Sequence, residues 1–351
     1  MKTYVYVTTT ELEWPGPIQS SGAPSGIKVF ELDDSGTLEL LHQYDMPGKG
    51  PAPLVITPDK KFIFASLRIS RELASYEINK TDGSLTKKHS IPTKADACYL
   101  SFDKTNNFIL GAYYTGGMVT VHKLKGNGEI AAEPSDCIST HAGAHYIETD
   151  SSNQFAFVPH IAGNDGPNLI YQFKFNESTG KLTKNDPYYF SPGIEFGPRH
   201  LCVHPSLNIM YSSNEQGSSV TSYDFDKEKG TLSPIDTVST IPHDFKGENT
   251  CAQIRISADG KFIFVPNRGH NSIAVFSVDN EGKLTRVDIV PTEPIPRPIN
   301  IDPSGNYFFA GSGIESRKLC VYRIDRQVGK LSLLQTIDVG GSPMWILPVN
   351  I

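Results

Sequence analysis

The chain has 351 residues, 38% hydrophobic and 20% charged, the make-up of an ordinary folded protein with apolar mass enough for a large core. A formal net charge of −6 and the absence of any Lys/Arg-rich run exclude long-range attraction to nucleic acid or an anionic membrane. Thirty Gly and 25 Pro beside 15 Tyr and 18 Phe suit short strands joined by tight turns, and argue against a helix-rich fold.

The N-terminal run TYVYVTTT has no apolar core followed by a small-residue cleavage site, so it reads as a strand and not as a signal peptide. No stretch approaches the ~18 apolar residues of a membrane span. Five cysteines (Cys98, Cys137, Cys202, Cys251, Cys320) are scattered without a C-x-x-C pair, which predicts neither a disulfide framework nor a zinc site. A reducing, cytoplasmic location is expected.

Along the chain, a Gly-x-Leu/Ile turn follows a strand-like apolar run seven times, at Gly36, Gly83, Gly128, Gly180, Gly230, Gly282 and Gly329, with Ser84-Leu85 after Gly83 and Ile130 in place of Leu after Gly128. The separations are 45–52 residues. Between these turns recurs a polar turn leading into an aromatic and β-branched run: TPDKKFIFAS, FDKTNNFILGAY, TDSSNQFAFVP, HPSLNIMYSS, SADGKFIFVP and DPSGNYFFAG. Its Asp residues, such as Asp59, Asp103, Asp259 and Asp302, are expected to form turns. Each unit thus carries four strands: A before the polar turn, B after it, C up to the Gly-x-Leu turn and D beyond. Four strands every 40–50 residues is the pattern of a propeller blade.

The chain opens on a B-like strand (3–8), continues with C (26–32) and D (37–44), and has no A strand before them. Residues 342–349, SPMWILPV, supply the missing A strand. The expected fold is therefore all-β: one seven-bladed β-propeller domain over 1–351, made of four-stranded antiparallel blades and closed as a ring by the C-terminal strand completing the first blade. A Pro/Gly/Ser-rich insertion at 13–25 interrupts the first hairpin.

Starts of A strands and ends of B strands share one face of each blade, because the two run antiparallel through a short hairpin. The polar residues there are His141, His145, Arg199, His200, Thr250–Gln253 and Arg297 on the A side, with Arg68, Tyr113, Tyr114, His160, Asn214, Glu215, Asn267, Arg268 and Ser312 on the B side. His145, Arg199, Glu215, Arg268 and Arg297, with His160 beside them, are predicted to converge on one channel mouth.

The strings GPRHLCVHP, SSNEQGSSV, IPHDF, FVPNRGHNSIAVFSV, PRPINID and SPMWILPV resemble the lactonase family of seven-bladed propellers over residues 3–349. That family includes propeller-type 6-phosphogluconolactonases and the 3-carboxy-cis,cis-muconate lactonizing enzyme. The resemblance implies a catalytic set of His145, Arg199, Glu215 and Arg268; His160 and Arg297 are added as substrate-binding residues from their strand positions. The implied reaction is hydrolysis of a sugar lactone, first of all 6-phosphogluconolactone. Ring opening needs an activated water, for which Glu215 or His145 could be the base, and oxyanion or anion binding, which suits the guanidinium forks of Arg199 and Arg268. The alternatives are a cycloisomerase acting on a carboxymuconate-type dicarboxylate, and a non-catalytic binding propeller. His141-x-x-x-His145 has the spacing of a helical zinc pair but precedes a strand and lacks the HExxH glutamate, so neither metal nor cofactor is expected. The partner is a small anionic lactone or sugar acid, and the protein is expected as a monomer or weak homo-oligomer.

Overall fold

The computed structural model describes residues 2–11 and 24–351; residues 13–23 of the first-hairpin insertion lie outside the described residues. Every regular element among the described residues is a strand. The strands form seven antiparallel sheets that match the seven predicted blades, each with the order A-B-C-D. The first sheet is assembled from both ends of the chain. Ser342–Asn350 pairs with Thr3–Thr10, which pairs with Gly26–Leu32 and through it with Leu38–Asp45. The amide of Lys2 donates to the Ile351 carbonyl at 3.0 Å and the amide of Ile351 to the Lys2 carbonyl at 2.9 Å, so the ladder runs to the last residue.

The residues divide into two compact units, one of Met1–Pro51, Leu201–Tyr223 and Pro234–Ile351, the other of Ala52–His200 and Asp224–Ser233. Within both, B strands such as Phe62–Leu67 and Phe108–Tyr113 are buried on both faces, which is why they read as unbroken apolar runs. D strands such as Leu331–Asp338 lie at the sheet edge and expose most of their residues.

One contact repeats from blade to blade. All seven turn glycines have positive φ, between 65° and 90°, a conformation that costs other residues a clash between Cβ and carbonyl. Six of them also press on the first residue of strand B in the preceding blade: Gly36 on Tyr307, Gly128 on Phe62, Gly180 on Phe108, Gly230 on Phe155, Gly282 on Ile209 and Gly329 on Phe262. That first residue is itself fixed by the one five positions earlier. The amides of Phe108, Phe155 and Tyr307 donate to the carboxylates of Asp103, Asp150 and Asp302 at 2.8, 2.8 and 2.6 Å. Thr57 and Ser257 offer a hydroxyl to Phe62 and Phe262 at 3.1 and 3.0 Å. Asp59 and Asp259 sit inside the same turns and accept from the amides of Lys61 and Lys261. The predicted turn aspartates are thus turn formers.

A Cβ on Gly230 would lie 2.0 Å from the Phe155 ring, whereas one on Gly48, also at positive φ, would meet nothing within 4 Å. Gly48→Ala should therefore cost about 1 kcal/mol from backbone strain alone, and Gly230→Ala about 3 kcal/mol because overpacking adds to it. Urea denaturation of the two variants tests this; equal losses would show that the ring contact adds nothing.

Candidate active site

In six blades strand B begins at the glycine-packed residue, and counting from it sorts the residues at the strand's other end. Six positions on come Arg68, Tyr114, Ile161, Glu215, Arg268 and Gly313; five positions on come Leu67, Tyr113, His160, Asn214, Asn267 and Ser312. Every member of the second series is buried, and so is every member of the first except Arg268, which is half-buried. Successive residues of a strand face opposite ways, so the two series point to opposite sides of the strand.

In the unit containing residues 201–223 and 234–351, Glu215 and Arg268 form a buried ion pair. Arg268 Nη2 lies 3.2 Å from Glu215 Oε1, with side chains 8% and 10% exposed respectively. Cys251 joins them: its amide donates to the Glu215 carbonyl at 3.1 Å and its carbonyl accepts from Arg268 Nη2 at 2.7 Å. The Arg268 Nε is buried and has no hydrogen-bond partner. Desolvating two charges for one contact is not an efficient way to gain stability, so such a pair fits a binding role better than a structural one. Burial pushes the Cys251 thiol up to about 12, which keeps it neutral and rules it out as a nucleophile near pH 7.

Strand A of this blade is broken into Thr250–Cys251 and Arg255–Ile256, both paired with Phe262–Arg268. Pro266 explains the gap. Its carbonyl accepts from the Ala252 amide at 3.2 Å, but it has no N–H to return to the A strand.

The same arrangement recurs in the unit containing residues 52–200. Pro159 accepts from the His145 amide at 3.1 Å, Ala144 bridges His160, and strand A shrinks to Glu148–Thr149. The sequence put His145 at the start of strand A; the regular strand begins three residues later, at Glu148, while the His145 amide still bonds to strand B. Its ring lies 5.1 Å from that of Tyr114 and 5.7 Å from that of His200. His200, almost wholly buried, stands edge-on to Tyr99 at 5.1 Å and lies 5.9 Å from the Tyr146 ring. Arg199 is buried at the start of Pro198–Val203. Burial pushes the Cys98 thiol up to about 11, against the opposing charges of Arg68 and Arg199. That thiol donates to the Ala144 carbonyl at 3.2 Å, next to His145.

Three other residues of the predicted face stand as follows. Arg68 is closed off: Nη2 and Nε donate to Asp96 Oδ2 at 2.6 and 3.1 Å, while Thr115 donates to Asp96 Oδ1. His160 has no exposed surface, since it belongs to the inward series. Its Nδ1 donates to the Val158 carbonyl at 3.1 Å and its Nε2 takes the Thr140 hydroxyl at 3.0 Å, which leaves nothing for a ligand; the expected substrate contact is corrected to a wall position. Arg297 is half-buried, with its amide on the Gly311 carbonyl at 3.0 Å and Nη1 3.6 Å from the Met344 sulfur. His141 directs Nδ1 to the Tyr171 hydroxyl at 2.6 Å, and among the described residues no group of three or more His, Cys, Asp or Glu could hold a metal ion.

Sequence reading missed Asp96, Thr115, Thr240 and Asn164, whose amide donates to the Tyr114 hydroxyl. All four lie in connections between strands, where no repeat marks them.

Burial, opposed by the Val158 hydrogen bond, lowers the His160 pKa from 6.5 to about 4. The folded chain thus holds this imidazole neutral while the unfolded chain protonates it, so its contribution is full above pH 6.5 and is lost as pH falls toward 4. The stability advantage of wild type over His160→Gln should shrink by on the order of 3 kcal/mol between pH 7 and pH 4. Denaturant titrations at both pH values measure it, and a pH-independent difference would contradict the burial argument.

Residues 5–348 match the family described as lactonase, 7-bladed beta-propeller. A 6-phosphogluconolactonase of Pectobacterium carotovorum is 30% identical over 321 residues, covering 91% of this chain and 94% of its own. One of Cronobacter sakazakii is 31% identical over 322 residues, covering 92% and 94%. Among solved structures, the periplasmic gluconolactonase of Pseudomonas aeruginosa has the same fold, with a TM-score of 0.87 at 22% identity over 99% of both chains. With sequence repeat, blade topology and family match in agreement, the chain belongs to the lactonase family of seven-bladed β-propellers.

Proposed function

We propose that the chain hydrolyses a sugar lactone, with 6-phosphogluconolactone as the substrate and 6-phosphogluconate as the product. The observation that carries this reading is the buried Glu215–Arg268 pair, with Arg268 Nε unsatisfied, in a lactonase-family chain whose relatives bear the name 6-phosphogluconolactonase.

In the reaction, water oxygen bonds to the lactone carbonyl carbon and the carbonyl π pair moves onto oxygen. Collapse of that oxyanion breaks the bond from the acyl carbon to the ring oxygen, which leaves as a hydroxyl after taking a proton. A guanidinium cannot take the water's proton, but it offers fixed donors to an oxyanion or a phosphate. Arg268 and Arg199 are assigned those anionic groups. Glu215 already spends one oxygen on Arg268, so its part is to orient that guanidinium. His145, half-buried and ahead of the regular strand Glu148–Thr149, is assigned the proton transfer.

Acid release from 6-phosphogluconolactone, followed above the spontaneous rate, should be accelerated by wild type. Arg268→Gln and Arg199→Gln should each lose on the order of 10²-fold in kcat/KM, the scale of a lost oxyanion donor. The arginine that holds the phosphate should lose far less on unphosphorylated gluconolactone. Wild-type protein that leaves the spontaneous rate unchanged would overturn the assignment.

A further inference from the structure

The Glu215–Arg268 pair is bridged by the backbone of a single residue, Cys251, and the segment carrying that residue is held by a polar node within the protein. Asn267, the residue before Arg268 in Phe262–Arg268, is wholly buried and its amide is fully used. Its Oδ1 accepts the Thr240 hydroxyl at 2.7 Å and Asn249 Nδ2 at 3.1 Å, with the Cys251 sulfur at 3.7 Å. Its Nδ2 donates to the Thr240 carbonyl at 3.0 Å and the Ser272 hydroxyl at 3.1 Å. A carbonyl facing one end of the amide fixes that end as nitrogen.

Thr240 is the other half of the node and is also wholly buried. Its amide donates to the Ser218 carbonyl at 2.9 Å, and its hydroxyl lies 2.8 Å from that carbonyl and 2.7 Å from Asn267 Oδ1. One hydroxyl proton serves two acceptors, while the neutral Cys251 thiol, 3.3 Å away, can donate to the hydroxyl oxygen. Asn249 adds a link to the Ser218 hydroxyl at 2.9 Å. The segment from Thr240 to Cys251 is therefore tied at both ends to Asn267 and to the turn after Glu215.

We propose that Thr240 and Asn267 are positioning residues for the Glu215–Arg268 pair. They clamp residues 240–251 so that the Cys251 amide holds the Glu215 backbone and the Cys251 carbonyl holds Arg268 Nη2, which fixes the direction of the remaining Arg268 donors. The proposal rests on the lactonase reading of Arg268. Neither residue meets the substrate, and each acts through the Cys251 peptide. An error of about 1 Å at a catalytic donor can cost on the order of 10²-fold, so loosening the clamp should be visible in turnover.

Thr240→Val removes the hydroxyl and keeps the shape, whereas Thr240→Ser keeps the hydroxyl. With 6-phosphogluconolactone, Thr240→Val should lower kcat at least tenfold with little change in KM, and Thr240→Ser should restore most of it. Ser272→Ala, which removes one partner of the Asn267 amide, should lower kcat several-fold and serves if Thr240→Val does not fold. In an Arg268→Lys background, Thr240→Val should add little, since its target is already altered. Normal kcat in folded Thr240→Val, or losses that multiply in the double variant, would overturn the proposal. Arg268→Lys with wild-type turnover would instead overturn the role given to Arg268, so the two failures are distinguishable.

Discussion

The contact on which the blades depend is a glycine without a side chain pressed against its neighbour's first B-strand residue. Three features of the sequence follow from it. The glycine must accept a positive φ, the partner must be large and flat enough to fill the space, and a capping group five residues earlier must hold the partner's amide. Each would be unremarkable singly. Together they place the start of six B strands at a fixed point against the turn of the following blade, so the far end of each of those strands is placed as well. Arg268 and Glu215 are where they are because Phe262 and Ile209 are held by Gly329 and Gly282.

This division of the strand explains which parts of the molecule could be read from sequence. The structural end repeats, because it performs the same packing in every blade, and repetition made the fold, the strand order and the C-terminal completion of the first blade legible. The other end varies from Arg68 to Tyr114 to Ile161 to Glu215, and there repetition gives no guidance. Counting from the packed aromatic does: His160 stands five positions after Phe155, the position that Asn267 takes after Phe262, and both side chains are wholly buried. Reading His160 simply as the end of a strand overlooked that alternation. Thr240 and Asp96 were not legible by any such count, since each lies in a connection whose shape depends on contacts distant in sequence.

The proline in two of the B strands links the repeat to the site. FVPH and FVPN place Pro159 and Pro266 at the same point of their strands, where the missing N–H interrupts the adjoining A strand. Both breaks release the backbone from regular pairing, which lapses after His145 in one and after Ala252 in the other. An intact ladder would hold these residues in strict alternation. The break lets the Cys251 peptide turn its carbonyl to a side chain, Arg268, and not only to a neighbouring backbone.

Freed backbone needs other support, and the two breaks obtain it differently. Beside His145 the support is apolar and aromatic, from Tyr114, His200 and the neutral Cys98 thiol. Beside Arg268 it is a saturated set of hydroxyls and amides centred on Asn267. The difference matches what each break must hold. The imidazole assigned the proton transfer can rest against rings that do not compete for it. A buried guanidinium paired with a carboxylate exerts a strong local field, and only fully hydrogen-bonded dipoles can face such a field without a large desolvation cost. On that argument the polar node and the ion pair stand or fall together: a fully apolar 240–251 segment would leave the charges of Glu215 and Arg268 without the ordered dipoles that make their burial tolerable.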